Sequence, residues 1–266
     1  MHAEYRVNYA RPGNDHVYDQ THLGPGSEQL IDSIDRRVVK VKDGRLEHEA
    51  YSLDKNGFEL MNLELGFSDY ENDEAIQGVL YPKVAEWLRS KLGANVVKVF
   101  DHTYRSKNRN DLSIHNRAPV KTVHNDYTSK SADYRRLEET KLDLELRSKR
   151  YKFVNLWIPV HHKVEESPLA MVDMRSVGRE DYHPLKLVYP DRTGELAAIS
   201  YNQNHQWVYF SDMEPGEVLL LKVFDSQMPT YLNGVPHSAV DDVVHKEYKN
   251  ARNSIELRTI AFFEDQ

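Results

Sequence analysis

A mainly β chain with flanking helices, folded as a double-stranded β-helix (jelly roll, cupin-like), is what three features of the 266-residue sequence predict. From Tyr151 onward, short runs rich in Val, Ile, Leu, Tyr and Phe alternate with turn-forming segments such as Pro190-Asp191-Arg192-Thr193-Gly194 and Asn233-Gly234. Helical spacing of apolar residues is confined to two stretches before that point, so the helices flank a β core rather than building it. No repeat and no low-complexity linker divides the chain, so residues 1–266 read as a single domain.

Taken in order, residues 1–35 are polar and punctuated by Pro12-Gly13 and Gly24-Pro25-Gly26, which predicts an irregular N-terminal arm. Arg37-Val38-Val39-Lys40-Val41 alternates as a strand and Asp43-Gly44 turns the chain after it. Between Asp73 and Leu92 the residues Ile76, Leu80, Val84, Trp87, Leu88 and Leu92 fall at helical spacing, with Gly93 as the stop. Pro82 lies inside that run and cannot donate to the helical ladder, so the helix begins near it or kinks there. Its apolar stripe is expected to pack on a sheet. Asn95 to His102 reads as a strand, Arg105 to Asn116 as a polar loop, and Pro119 to Val123 as an apolar lead into His124. Ser131 to Lys149, dense in Arg, Glu, Lys and Leu, predicts a helix with a solvated face. The strands expected after it are 151–160, 169–173, 185–189, 195–201, 207–212, 218–225, 236–241 and 254–263.

Composition narrows the chemistry. Apolar residues make up 39% and charged residues 29%, which suits a chain with a packed core. At this length folding removes roughly 70–75% of the unfolded surface from water, so an enclosed cavity is feasible without cross-links. The net charge of -7 is well mixed, which argues against nucleic acid and anionic lipid as partners. No apolar run approaches the roughly 18 residues of a membrane span, and the start has no signal-peptide core, so a cytoplasmic location is expected. Cysteine is absent, which excludes disulfides, thiol nucleophiles and iron–sulfur clusters. Any transition metal must then be held by carboxylates and by some of the 13 histidines.

The stretch Val123-His124-Asn125-Asp126-Tyr127 contains the sole His-x-Asp of the chain. Two residues apart on a strand, His124 and Asp126 point to one face. With His237, which follows Pro236 at the start of a late strand, they make a 2-His-1-carboxylate set that leaves positions open on an octahedral ion, the arrangement of non-haem Fe(II) oxygenases. The competing view is that a single His-x-Asp arises by chance among so many histidines. A 2-oxoglutarate co-substrate also needs a cation for its far carboxylate, and arginine matches that group with two parallel hydrogen bonds. Arg252 lies fifteen residues after His237 with Ser254 beside it, and Arg258 falls opposite His237 if the two strands form a hairpin turning near Glu247-Tyr248. Register favours Arg258 slightly, Lys222 is a weaker third choice, and Glu256 with Arg258 could simply neutralise each other. Asn155, Asp225 and Ser226 are candidates to orient the ligands, and Asn155 could also reach the co-substrate. Tyr127, Trp157, Tyr209 and Phe210 are candidates to line a substrate cavity.

Several blocks in order resemble the fungal hydroxylase/desaturase family, gibberellin desaturase-like and cephem-methoxylase accessory chain-like. They are Gly57-Phe58-Glu59-Leu60, Val99-Phe100-Asp101-His102-Thr103-Tyr104-Arg105, His124-Asn125-Asp126-Tyr127-Thr128, Asn155-Leu156-Trp157-Ile158-Pro159, Pro236-His237 and Ser254-Ile255-Glu256-Leu257-Arg258. The resemblance implies an Fe(II)/2-oxoglutarate-dependent oxygenase that uses O2 to hydroxylate, desaturate or peroxidise a small secondary metabolite, terpenoid or meroterpenoid-like, by hydrogen abstraction. It implies His124, Asp126 and His237 as iron ligands. Ile158 stands where the family commonly has Arg, which bears on the usual substrate contacts. The alternatives are a metal-free jelly-roll binding module and a metalloenzyme that uses no oxoglutarate. The expected partner is a small-molecule substrate, and a homodimer is admitted.

Overall fold

The computed structural model describes residues 2–13, 16–19, 34–106, 116–190, 192–229, 234–244 and 246–264. Before the helices the strands are β1 (His2–Ala10), β2 (His16–Asp19), β3 (Ile34–Asp43) and β4 (Phe58–Asn62). Next come β5 (Val96–Arg105), β6 (Asn116–Arg117), β7 (His124–Asn125), β8 (Arg150–Pro159) and β9 (Leu169–Val172). The last are β10 (Tyr182–Val188), β11 (Thr193–Ile199), β12 (Trp207–Tyr209), β13 (Glu217–Asp225), β14 (His237–Ala239), β15 (Asp241–Asp242) and β16 (Ser254–Phe263). They form a ten-stranded sheet, β15-β1-β3-β12-β9-β14-β7-β11-β10-β2, and a six-stranded sheet, β4-β13-β8-β16-β5-β6.

Side-chain alternation assigns each face of the six-stranded sheet. Along β8, Val154, Leu156 and Ile158 join a cluster with Val84 and Leu88, whereas Phe153 and Trp157 join one with Met171 and Val208 of the ten-stranded sheet. The sheet is therefore covered on both sides, by a helix and by the other sheet. That double burial is why β8, β13 and β16 read as near-continuous apolar runs instead of alternating ones.

The covering helix bears out the expected stripe. A first turn α1 (Asp73–Ala75), capped by the Asn72 side chain, leads through a π-helical turn at Ile76–Leu80 into α2 (Tyr81–Leu92). Pro82 sits at the first turn of α2, where a missing N–H costs least, and the widened turn before it absorbs the mismatch. Ile76, Leu80, Val84 and Leu88 are buried against the sheet, and Gly93 closes the helix in the left-handed region at φ 62°. The second helix, α3 (Ser129–Glu139), starts at a Thr128–Ser131 capping box and is shorter than the 131–149 run predicted. It stops at Thr140, whose hydroxyl bonds back to the Arg136 carbonyl, and the chain resumes as a short 3-10 turn at Leu146–Ser148.

The irregular arm is corrected over its first part. His2–Ala10 is a strand that pairs along its whole length with β3, burying Tyr5, Val7 and Tyr9. Those three residues have period two, but the polar residues between them hide it in the composition. His16–Asp19 adds a parallel edge beside β10. Gly24-Pro25-Gly26, Asn233 and most of the expected polar loop after Arg105 lie outside the described residues. The late strand predicted at 236–241 is split, with β14 in mid-sheet and β15 at its edge. No described helix is long and apolar enough to cross a membrane.

Candidate metal centre

Strand parity builds the centre. Val123 is buried in an outer cluster with Tyr9, Val172 and Ile199, so the next residue, His124, turns to the opposite face, toward the second sheet. On β14, His237 stands directly opposite His124 across an antiparallel pair, which puts the two imidazoles on one face as cross-strand neighbours. Asp126, two residues beyond His124, completes the group.

One donor atom from each of the three lies within 4.8 Å of the others. Asp126 Oδ1 is 3.5 Å from His124 Nε2 and 3.9 Å from His237 Nε2, and the ring centroids are 4.6 Å apart. The far ring nitrogens are committed: His124 Nδ1 donates to the Thr122 carbonyl at 2.7 Å and His237 Nδ1 to the Val235 carbonyl at 3.0 Å. Donation at Nδ1 leaves the Nε2 lone pairs facing Asp126, the tautomer a metal-binding histidine needs. Two imidazole nitrogens and one carboxylate oxygen fit Fe(II) in its facial triad.

Electrostatics support the same use. Burial pushes the Asp126 carboxyl up, but the imidazoles of His124 and His237 and the charge of Arg258 outweigh it and hold the group below the usual carboxylate range. Burial pulls His124 down, yet Asp126 raises it above the ordinary imidazole value. His237 is held low by burial and by the neighbouring His124.

Beside the histidines lies a small recess lined by residues that include Arg105, Trp157, Leu169, Arg252 and Glu256. Arg252 is 2% exposed and donates through Nη1 to the Ser167 carbonyl at 2.6 Å, with its guanidinium 5.5 Å from the Trp157 ring centroid. Ser167, in the left-handed region at φ 47° ahead of Pro168, holds that carbonyl in place. Burial, with Arg105 nearby, pushes the Arg252 guanidinium down to about 9. Arg252 Nε, Ser254 Oγ and Trp157 Nε1 are buried without hydrogen-bond partners. Three unmet donors in one region call for an acceptor-rich ligand, and a carboxylate is the simplest one.

Arg258 is differently placed. Its strand, β16, lies in the other sheet from β14, so the hairpin that set it opposite His237 does not form. Arg258 Nη1 donates to Asp101 Oδ2 at 2.8 Å and Thr103 Oγ1 at 2.9 Å, and Nη2 to Glu256 Oε2 at 3.4 Å. Burial opposes its charge, but Glu256, Asp101 and Asp126 together raise its pKa. The mutual neutralisation of Glu256 and Arg258 is therefore real, and Arg105 joins it at 3.4 Å from Glu256.

The other candidates divide between the centre and the packed core. Asn155 lies at it, donating to Asp126 Oδ2 at 2.6 Å. Trp157 lines the recess, and Tyr127 stacks on Phe153 at 4.5 Å beside Asp126. Tyr209 instead packs edge-on against Tyr5, and Phe210 packs with Tyr51 and Phe58 in the core, so neither belongs to the recess lining. Asp225 pairs with Lys152 and the Ser226 hydroxyl accepts from the Tyr151 N–H, both away from the histidines. Lys222 is buried against Met228, neither solvent-facing nor in the recess. Ile158 packs on the α2 side opposite Ile255, outside the recess lining. Arg105 and the Ser167 carbonyl were not foreseen. Arg105 shares inward parity with Asp101 and Thr103, and that signal was available in the sequence.

A family model described as an oxidoreductase/YMDC permease-like domain matches residues 7–262. The hydroxylase/desaturase CTB9 of Cercospora beticola is 32% identical, with 86% of this chain and 78% of that protein covered. The hydroxylase/desaturase efuI of Hormonema carpetanum is 29% identical over 98% of this chain and 95% of its own. The Fe(II)/2-oxoglutarate-dependent dioxygenase nvfI of Aspergillus novofumigatus is 26% identical, with 90% and 87% covered. The solved structure of the iron and alpha-ketoglutarate-dependent endoperoxidase NvfI superposes with a TM-score of 0.87 at 22% identity, over 100% of this chain and 99% of that one. The folds are the same.

Proposed function

Because this chain belongs to the fungal hydroxylase/desaturase family, we propose that its His124–Asp126–His237 centre binds Fe(II) and works with 2-oxoglutarate and O2 on a small secondary metabolite. The observation that carries this reading is the convergence of three donor atoms within 4.8 Å, at the edge of a recess on which Arg252 Nε and Trp157 Nε1 are buried and unmet. Fe(II) held there would supply O2-dependent oxidation of a substrate C–H bond, with 2-oxoglutarate as the co-oxidised partner.

The protein's own residues bind, orient and exclude water. His124, Asp126 and His237 are the metal ligands, each imidazole held by a backbone carbonyl. Arg252 is the receptor for the far carboxylate of 2-oxoglutarate. Among the arginines around the recess, Arg105 and Arg258 already face Glu256, whereas Arg252 presents a buried, unmet Nε. Ser254 adds a hydroxyl and Trp157 an indole N–H. With the ion added, Arg105, Arg252 and Arg258 give the site the positive balance that a dianionic co-substrate requires. The apolar walls, Val120, Leu169 and Ala239, keep water from the reacting side. Tyr127 and Trp157 are the rings placed to meet the substrate, a terpenoid or meroterpenoid-like molecule, and the relatives named hydroxylase/desaturase favour hydroxylation or desaturation as its fate.

The test is anaerobic addition of Fe(II) and then 2-oxoglutarate to the metal-free protein. A weak charge-transfer band in the visible range is expected with both present and absent with either alone. A wild-type protein that binds Fe(II) but gives no band with 2-oxoglutarate would sink the co-substrate assignment.

A further inference from the structure

We infer that Asn155 and Glu256 form a positioning pair that dictates how Asp126 meets the metal; this rests on the metal reading above and extends it to residues that are not ligands. Asn155 Nδ2 lies 2.6 Å from Asp126 Oδ2 and 2.9 Å from Glu256 Oε1, so one amide group serves two buried carboxylates. Asn155 is fully buried and Glu256 is 5% exposed. Between two acceptors only the NH2 end of an amide is tolerated, which settles its orientation on chemical grounds. Its Oδ1 points elsewhere and is buried without a partner. An aspartate in its place would put three acids together, and an apolar residue would leave two carboxylates without a donor.

The consequence falls on Asp126. With Oδ2 taken by Asn155, the oxygen presented to His124 and His237 is Oδ1. Asn155 thus keeps the carboxylate as a single-oxygen ligand and leaves the remaining metal positions for co-substrate and O2. Glu256 has the complementary task. Arg258 Nε stands 4.0 Å from Asp126 Oδ2, near enough to compete with a metal ion for that acid. Glu256, facing Arg258 and Arg105 at 3.4 Å each, draws both guanidiniums to its own side. Strand register makes the arrangement. Glu256 on β16 is directly opposite Trp157 on β8, so Asn155, two residues along, shares their inward face.

The experiment uses full-length, metal-free protein titrated anaerobically with Co(II), without 2-oxoglutarate or substrate, so that no readout depends on turnover. Asn155→Ala is expected to alter the visible d–d spectrum and to weaken Co(II) binding by roughly 10–100-fold. Glu256→Gln, close to isosteric, should weaken it through the freed arginines, while Glu256→Asp restores much of the affinity. Asp126→Ala is the control and should lose the wild-type spectrum. If Asn155→Ala does not fold, Glu256→Gln and its Asp rescue carry the test. Wild-type affinity and spectrum in the folded Asn155 and Glu256 variants, with binding lost in Asp126→Ala, would overturn this inference alone. Undiminished Co(II) binding by Asp126→Ala would overturn the metal reading and this inference with it.

Discussion

The two faces of β8 solve opposite problems within the same ten residues. On the α2 side, Val154, Leu156 and Ile158 meet Val84, Leu88 and Ile255, and the buried imidazole there, His102, is bonded to Tyr81 and Asp73. On the inner side, Phe153, Asn155 and Trp157 meet the second sheet, and one of the three is an amide wedged between two acids. Nearby, Asn155 Oδ1, Trp157 Nε1, Arg252 Nε and Ser254 Oγ are all buried and unmatched. An unmet buried polar group costs about 1–3 kcal/mol, so such groups belong where a ligand can meet them. The α2 side makes the fold, and the inner side keeps hydrogen-bonding capacity in reserve for a ligand.

The sharpest test of that division is Asp126→Ala. It should abolish Fe(II) binding and turnover while melting close to wild type, as followed by metal analysis and circular dichroism. Next is Arg252→Met. Loss of a charge-assisted contact of about 1.5–3 kcal/mol should raise the 2-oxoglutarate Kd by roughly 10–150-fold. The same change removes a buried cation whose charge burial and Arg105 disfavour, so the ligand-free melting temperature should hold or rise. A large fall in stability with 2-oxoglutarate affinity intact would reverse the assignment of Arg252. On the α2 side the sign inverts: Leu88→Ala should cost about 2–5 kcal/mol in urea unfolding and leave the 2-oxoglutarate Kd unchanged. Smallest is Ile158→Val, at about 0.5–1.5 kcal/mol with no effect on the charge-transfer band. A change in the band there would show that the two faces are coupled.

How much of this was legible depends on the range of the signal. The α2 stripe, its Pro82 irregularity and the Gly93 stop are local patterns, and the structure keeps all three. So are the late strands, because a run buried on both faces is apolar throughout. The Tyr5, Val7, Tyr9 alternation was equally local but masked by the polar residues between. The arginines were not legible in this way. Arg252 and Arg258 share a strand face by parity, and the preference between them rested on a hairpin that does not exist. Tyr209 and Phe210 had the right chemistry for a cavity wall, but the core needs aromatic residues for its own packing.

By itself the sequence determined the class of fold and the donor types, since period-two runs, the absence of cysteine and one His-x-Asp leave few ways to hold a metal. It also singled out His124 and Asp126 as a pair two residues apart, although β7 ends at Asn125 and Asp126 lies in the bend after it. Only the tertiary structure decided that His237 faces His124 across a strand pair, that Asn155 and Glu256 stand behind Asp126, and that Arg252 brings an unmet buried donor to the recess. Those facts depend on which strands become neighbours and in what register. Register is set by the summed burial of both sheets, a quantity that no short stretch of chain contains.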